Sequence, residues 1–339
     1  MQNVTIKDIA RMANVSVTTV SRALNGSLDI NEETRRRILK ICRREGYRTN
    51  LLAKSLISSR TNVIGVIQPD ISGPFHAVLA LHIETCARRL GYQVMLCRGK
   101  PSDDSIHELF DFLLGQQVDG ILLSSSSNRA YELLSKYQSM VPAVLLGACP
   151  PENSALRLNA VSTDNYAGGM LAAEYLHRLG HRRIVYLGMR AGSITHERRH
   201  RGFFDAAEKL GMSVRTVYNN DTSSTIEGGY RLAAGLLKKG ITETAVFAAS
   251  DMLALGFMQA ADEAGVSIPD QVSLLGFDDI DYAALDQMRL TTFSQRPEEL
   301  ARHTVQLLLD LIEKQESYAC TFKMLTPCLV ERGSCRAIR

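Results

Sequence analysis

The feature that most restricts this chain's fold begins at residue 62. Short apolar runs recur from there: 63-VIGVIQP-69, 92-YQVMLC-97, 118-VDGILLSS-125, 141-VPAVLLG-147, 183-RIVYLG-188, 244-TAVFAAS-250 and 272-VSLLGFDD-279. Helix-length segments lie between them, several ending in glycine at Leu90-Gly91, Leu179-Gly180, Leu210-Gly211 and Ala264-Gly265. Glycine there supplies the left-handed residue that stops a helix before the next strand. Alternation of this kind predicts parallel sheets covered by helices. About ten such strands are many for one sheet, so two lobes are expected, with a ligand in the cleft at the strands' C-terminal ends.

Several function classes lack their signals. No apolar run approaches the ~18 residues of a membrane-spanning helix. The start, MQNVTIKDIA, has no basic-then-apolar leader, which argues against export. The seven cysteines are an odd number without a C-x-x-C pair, and they read as reduced thiols filling cores rather than metal ligands. No dinucleotide, phosphate-loop or nucleophile-elbow motif stands in a strand-turn-helix context. His196 and His200 are spaced i, i+4 but have no third ligand nearby. The cluster 278-DDID-281 follows a strand and reads as a hydrogen-bond acceptor in a cleft rather than an acid/base pair. No enzyme, cofactor or metal is therefore expected.

The first sixty residues follow another pattern. They hold 12 Lys and Arg against 5 Asp and Glu, net +7, while the remainder holds 27 against 31, net −4. A basic head on a mildly acidic body suits an anionic polymer, although Arg35, Arg36, Arg37, Arg43 and Arg44 could equally do no more than solvate a helix face. Three short helices are expected. The first lies in 5-TIKDIARMA-13, with Thr5 as N-cap and Ile6, Ile9, Ala10 and Ala13 at helical spacing. A tight turn at Asn14-Val15 leads into a second, capped by Ser16 and ended by Gly26. Its Val20, Ala23 and Leu24 face the first helix, Thr18, Ser21, Arg22 and Asn25 line the other side, and Val17 and Thr18 stand at its tip. A third helix starts near Asn31, with Ile38, Ile41 and Cys42 as its apolar stripe. This is a helix-turn-helix pattern, whose second helix enters a major groove N-terminus first. There hydroxyls can meet phosphates or base edges, methyls can touch thymine, and Arg22 can bond guanine bidentately. A plain three-helix bundle whose hydroxyls face water is the alternative.

The words TIKDIARMANVSVTTVSRALNG, NEETRRRIL and GYRTNLLAKSLISSRT closely resemble the lac repressor (LacI/GalR) family of bacterial transcription regulators. The resemblance implies that Val17, Thr18 and Arg22 read bases while Thr5, Ser16, Thr19, Ser21, Asn25 and Asn50 hold the DNA backbone. It also implies a hinge helix in 50-NLLAKSLISS-59 that forms on the operator, with Ala53, Lys54 and Leu56 in contact and Leu56 wedged into the minor groove. Alone, a helix this short is marginal in water and would be a disordered linker. Thr49 stands where the family usually has proline, so the hinge's start is less pre-set.

The body resembles the same family in 70-DISGPF-75, 198-RRHRGF-203, 250-SDMLALG-256, 269-PDQVSLLGFDD-279, 290-LTTFSQ-295 and 329-LVERGS-334. By that resemblance Phe75, Arg199, Ser250, Asp278 and Gln295 contact an effector, although a buried Arg facing an Asp could also be a structural ion pair. Gly73, His76, Gly147, Ser224 and Ser250 depart from residues common in the family, which leaves a larger ligand, a phosphorylated sugar or a polyol open.

The expected architecture is an all-α helix-turn-helix domain (1–48), a hinge helix (49–60) and a two-lobed α/β periplasmic-binding-protein-like domain with parallel sheets (61–339). Its N-lobe would comprise about 61–163 and 293–321, and its C-lobe about 164–292 and 322–339. The expected function is a cytoplasmic, homodimeric, DNA-binding transcription regulator. It would repress a carbohydrate-utilisation operon and bind double-stranded operator DNA and a small-molecule effector, a sugar or sugar derivative. A solute-binding protein or sugar-metabolism enzyme with an unrelated N-terminal extension is the other reading.

Overall fold

The computed structural model describes residues 4–24, 29–47, 60–99, 105–125, 127, 129–147, 158–189, 193–219, 224–314 and 320–338. The chain divides into two compact units, Met1–Thr61 and Asn62–Arg339.

The first unit holds α1 (Ile6–Ala13), α2 (Val17–Leu24) and α3 (Glu32–Arg44). Thr5 begins α1 with a reciprocal cap. Its hydroxyl accepts from the Asp8 N–H at 3.4 Å, and its own N–H and hydroxyl donate to the Asp8 carboxylate at 3.0 and 2.7 Å. Asn14 ends α1 in the left-handed region at φ 50°, which only glycine and asparagine tolerate cheaply, and this closes the turn into α2. The Ser16 hydroxyl then accepts from the Thr19 N–H at 3.0 Å, and Asn31 caps α3 through the Glu33 N–H at 2.8 Å. Ile9, Ala10, Ala13, Val20, Ala23, Ile38 and Cys42 form one core between the three helices.

The second unit contains two parallel sheets. The first, in the order β11-β5-β4-β3-β1-β2, comprises β1 (Val63–Gln68), β2 (Gln93–Arg98), β3 (Gly120–Ser124), β4 (Ala143–Leu146), β5 (Ala160–Thr163) and β11 (Phe322–Leu325). Helices α4 (Pro74–Arg89) and α11 (Pro297–Lys314) share one core with it through Leu79, Ile83, Val305 and Leu308. Helices α5 (Ser105–Gly115) and α6 (Arg129–Tyr137) share another through Phe110, Leu113, Tyr131 and Leu134. The second sheet, β7-β6-β8-β9, is built from β6 (Arg183–Met189), β7 (Ser213–Asn219), β8 (Ala245–Ala248) and β9 (Ser273–Leu275). It packs with α7 (Asn165–Arg178), α8 (Ile194–Lys209), α9 (Ile226–Leu237) and α10 (Asp251–Glu263). Gly91, Gly180, Gly211 and Gly265 all have positive φ, as the Leu-Gly and Ala-Gly helix ends require.

The chain passes to the second sheet after β5 and returns through β10 (Thr292–Ser294), which pairs antiparallel with β12 (Cys328–Val330). One lobe boundary differs from the sequence expectation, which placed 322 onward in the C-lobe. Residues Phe322–Leu325 instead pair in parallel with Ala160–Thr163 in the first sheet. Without them β5 would present an open row of backbone donors and acceptors, and Leu325 would lose its place in the core beside α11.

Candidate functional site

In the first unit the outward side of α2 carries the base-reading candidates. Val17 is 41% exposed, Thr18 and Arg22 are exposed one turn apart, and Ser21 is half-buried beside them. Arg22 forms no ion pair among the described residues, whereas Arg11, Arg35, Arg36 and Arg44 each sit within 4 Å of a carboxylate. Among the described residues the guanidinium of Arg22 is thus uncommitted. The hydroxyls of Thr5, Ser16 and Thr19 are engaged inside the first turns of α1 and α2, with Ser16 and Thr19 2.8 Å apart. Their local role is to present helix N-termini, which favour phosphate. Asn25, Gly26, Asn50, Ala53, Lys54 and Leu56, and with them the hinge, lie outside the described residues.

In the second unit both sheets repeat one connectivity. The chain's first strand in each (β1, β6) has its second strand on one side and its third on the other. The helices that follow this strand and its third-strand neighbour lie on opposite faces of the sheet, so a crevice opens at their C-terminal ends, where doubly wound sheets bind ligands. A cavity of about 260 Å³ lies between these two crevices. From the first sheet, Asp70, Phe75, His76 and Ser125 line it; from the second, Thr195, His196, Arg199 and Asp278 do, with Gln295 from the crossover.

Arg199 is 2% exposed on α8. Its guanidinium stacks over the Phe277 ring at 3.5 Å, donates to Asn165 Oδ1 at 2.6 and 3.2 Å, and donates to the Ala249 carbonyl. It forms no ion pair with Asp278, so the structural-ion-pair alternative does not describe it. Burial pulls its pKa down, while the charges of Asp278, Tyr186 and Asp251 hold it up. Asp278 lines the cavity from a conformation rare for a non-glycine residue, φ 124°. Burial pushes its pKa up, against the opposing pull of Arg199 and of the Gln295 amide, which donates to it at 2.6 Å. Gln295 in turn accepts from the Thr163 hydroxyl at 2.8 Å. A single side chain thus joins the end of β5 in one lobe to the loop after β9 in the other.

Asp251 stands behind this layer, fully buried. It accepts from the Thr292 hydroxyl at 2.6 Å and the Ile280 N–H at 3.0 Å, so it holds the 276–280 loop in shape. Burial and the neighbouring Asp278 push its pKa up. Ser250, expected at the effector, does not line the cavity. Its hydroxyl caps α10 by accepting from the Leu253 N–H at 3.3 Å, since the strand-to-helix turn there leaves that donor otherwise orphaned.

Sequence reasoning missed His196, Thr195 and Ser125 in the wall, and Asn165 behind Arg199. The histidine pair at i, i+4 splits by role. His200 bonds the Tyr218 hydroxyl at 2.8 Å and stacks on Phe204, whereas His196 lines the cavity and its buried Nδ1 is unpartnered among the described residues. A βα turn facing a cleft was the available signal, since the first turn of α8 must point toward the strand ends. A larger hollow of about 880 Å³ lies at the opposite ends of the second sheet's strands. Its polar groups already partner one another: His181 bridges Thr244 and the Arg336 carbonyl, and Arg336 bonds Asp270. Among the described residues no group of three His, Cys, Asp or Glu could hold a metal ion, and no helix is long and apolar enough to cross a membrane.

Residues 5–50 match the sequence profile of bacterial regulatory proteins, lacI family, and residues 173–335 that of a periplasmic binding protein-like domain. The HTH-type transcriptional repressor CytR of Escherichia coli strain K12 is 32% identical, over 98% of this chain and 97% of its own. Among solved structures, the lac repressor dimer bound to operator and the anti-inducer ONPF superposes over 99% of this chain and 100% of its own, with TM-score 0.85 and 24% identity. A LacI family transcriptional regulator from Enterococcus faecium with bound ribose covers 82% of this chain and 100% of its own, with TM-score 0.70 and 29% identity.

Proposed function

The chain belongs to the lacI family of bacterial regulatory proteins, and from that premise we propose that it represses a carbohydrate-utilisation operon from the cytoplasm as a homodimer. It is a DNA-binding transcription regulator with an effector-binding domain. The observation that carries the reading is one chain joining an exposed Arg22 on a braced helix, without an ion pair among the described residues, to a two-lobed domain with a polar cleft. Val17, Thr18 and Arg22 read base edges, and the starts of α1 and α2 held by Thr5, Ser16 and Thr19 meet phosphates. The partner copy supplies the second half-site reader. Exposed Leu81 on α4 and Leu96 on the edge strand β2 offer apolar surface for that copy to cover.

Arg199, Asp278, Phe75 and Gln295 hold the effector, while Ser250 acts only through its cap. Gln295 contacts Thr163 and Asp278 together, so a ligand that draws on Asp278 alters a bond reaching both lobes. A ligand that prefers one lobe arrangement shifts DNA affinity by the same coupling with which DNA shifts ligand affinity. The ribose held by the Enterococcus faecium regulator supports a carbohydrate class.

Retarded migration of operator DNA tests this. The full chain should shift a pseudo-palindromic operator, a chain lacking residues 1–60 should not, and Asp278→Ala should shift DNA but ignore the effector. A truncated chain that shifts DNA equally well would refute the assignment.

A further inference from the structure

The outward face of α3 carries a concentration of charge that the reading face of α2 does not use. At roughly 100° per residue, Arg36, Arg37, Lys40, Arg43 and Arg44 fall within an arc of about 120°. All five are exposed. The buried Ile38 and Cys42 lie on the opposite side, in the core shared with α1 and α2. Outward faces of helices that close on one core point apart, so the stripe faces a different way from Val17, Thr18 and Arg22. Arg36 pairs with Glu32 at 3.3 Å and Arg44 with Glu45 at 2.7 Å, whereas Arg37, Lys40 and Arg43 form no ion pair among the described residues. The five acidic side chains of the first sixty residues, Asp8, Asp29, Glu32, Glu33 and Glu45, all stand among the described residues. The undescribed part of this unit therefore holds no carboxylate side chain that could pair with them.

The helix end alone does not account for this arrangement. The helix dipole favours cations in the last turn, where Arg43 and Arg44 stand, and its effect falls off before Lys40 and Arg37. Lys40 has arginines both three and four residues before it and both three and four after it, and like charges at that spacing oppose helix formation. An anion laid along the stripe relieves that repulsion. The stripe is also short and closed. From Arg36 to Arg44 it spans about 12 Å, with Glu32 and Glu33 one turn earlier on the same face and Glu45 at the other end. A duplex backbone is a longer, continuous line of charge and would be carried onto those carboxylates. An acidic helical segment presents carboxylates three or four residues apart, at the same interval of ~5–6 Å, and ends where they end. Arginine forks grip carboxylates bidentately, which suits such a contact.

We propose that the outward face of α3 docks an acidic helical segment of a second protein, whose carboxylates, one turn apart, pair with Arg37, Lys40 and Arg43. The patch is too small for a stable complex by itself, so the contact is transient and acts when the partner is held nearby, as on the same DNA.

The experiment is fluorescence anisotropy of the full-length protein at low salt. The probe is a labelled alanine-based helical peptide of about 17 residues with glutamates at every fourth position, beside its glutamine counterpart. The glutamate peptide should bind and the glutamine peptide should not. The triple variant Arg37→Gln, Lys40→Gln, Arg43→Gln should weaken binding roughly tenfold, as the loss of three exposed ion pairs implies. The triple variant Lys209→Gln, Lys238→Gln, Lys239→Gln removes the same charge from exposed positions of the second unit and should leave binding unchanged. Reversing the stripe with Arg37→Glu, Lys40→Glu, Arg43→Glu should exchange the preference for a lysine peptide. Unfolding curves separate lost binding from lost folding, and the glutamine variant carries the test if the reversed one unfolds. A duplex of arbitrary sequence, titrated beside the peptide, tests the other anion. If the glutamine variant of the stripe loses duplex affinity and about three units of salt slope, the stripe is a DNA contact and the proposal is overturned. Peptides that bind alike, or a stripe variant that binds the glutamate peptide as the parent does, reduce the stripe to a solvated face and overturn it too.

Discussion

Gly202→Ala sets helix propensity against packing, and the structure says which wins. A Cβ built on Gly202 of α8 would stand 2.0 Å from the Tyr166 carbonyl oxygen and 2.8 Å from its carbon, both backbone atoms of α7. Ordinary contact begins at 3.4 Å, so the two helices would have to part by about 1.4 Å. Neither contacting atom can rotate away, which places the overpacking cost at the upper end of the usual range, ~3 kcal/mol. Alanine in place of glycine returns ~1 kcal/mol of helix propensity. The net expectation is a loss of about 2 kcal/mol, or roughly 4–8 °C in the midpoint of the effector domain's thermal transition. Arg199 lies three residues earlier on the same helix, and a binding constellation tolerates only ~0.5 Å of displacement. Effector affinity should therefore fall at least tenfold, while the helix-turn-helix unit keeps its own core. Gly235 is the control: a Cβ there meets nothing within 4 Å, so Gly235→Ala should stabilise by up to ~1 kcal/mol. Calorimetry and effector titration of both variants read the result. If Gly202→Ala melts at or above the parent temperature, the close helix contact does not control this lobe and the reasoning is wrong.

Three further outcomes are expected. Arg22→Ala should cost about 1–3 kcal/mol on the preferred operator and relax discrimination at one base pair in a binding-site selection. An equal loss on every sequence would make Arg22 a phosphate contact instead. Thr5→Ala removes one half of the reciprocal cap and should cost about 1 kcal/mol, read as faster hydrogen exchange along α1; unchanged exchange would mean that the cap is dispensable. Effector affinity should fall in acid, because burial raises the Asp278 pKa from 3.8 to about 6 and a protonated carboxyl no longer accepts a ligand hydroxyl with full charge. Affinity should be flat above that value and decline below it, with an apparent pKa shared with Asp251. A flat profile from pH 8 to pH 5 would remove Asp278 as the acceptor.

What was legible in the sequence was local. The caps at Thr5 and Ser16, the start of α3 near Asn31, the left-handed glycines after α4, α7, α8 and α10, and the long apolar strands depend on residues a few positions apart, so short-range pattern reports them. The strands that were missed are short or meet distant partners. β5 has four residues, and β11 pairs with it across some 160 positions. Of the residues that the family's motif words assign to an effector, Arg199, Asp278, Phe75 and Gln295 line one cavity and Ser250 does not, because the same strand-to-helix turn that brings a residue near a cleft also leaves a helix donor in need of a cap.

The sequence by itself determined a basic helix-turn-helix head, a βα body and the chemistry of the side chains on the outward face of α2, since each follows from composition, spacing or a single turn of helix. Only the tertiary structure decided what Arg199 bonds, that His76 and His196 line one cavity, and that Gln295 touches both lobes. Those relations join residues 17 to 132 positions apart. They arise from how two separately wound sheets close around their switch points, and no local propensity encodes that distance.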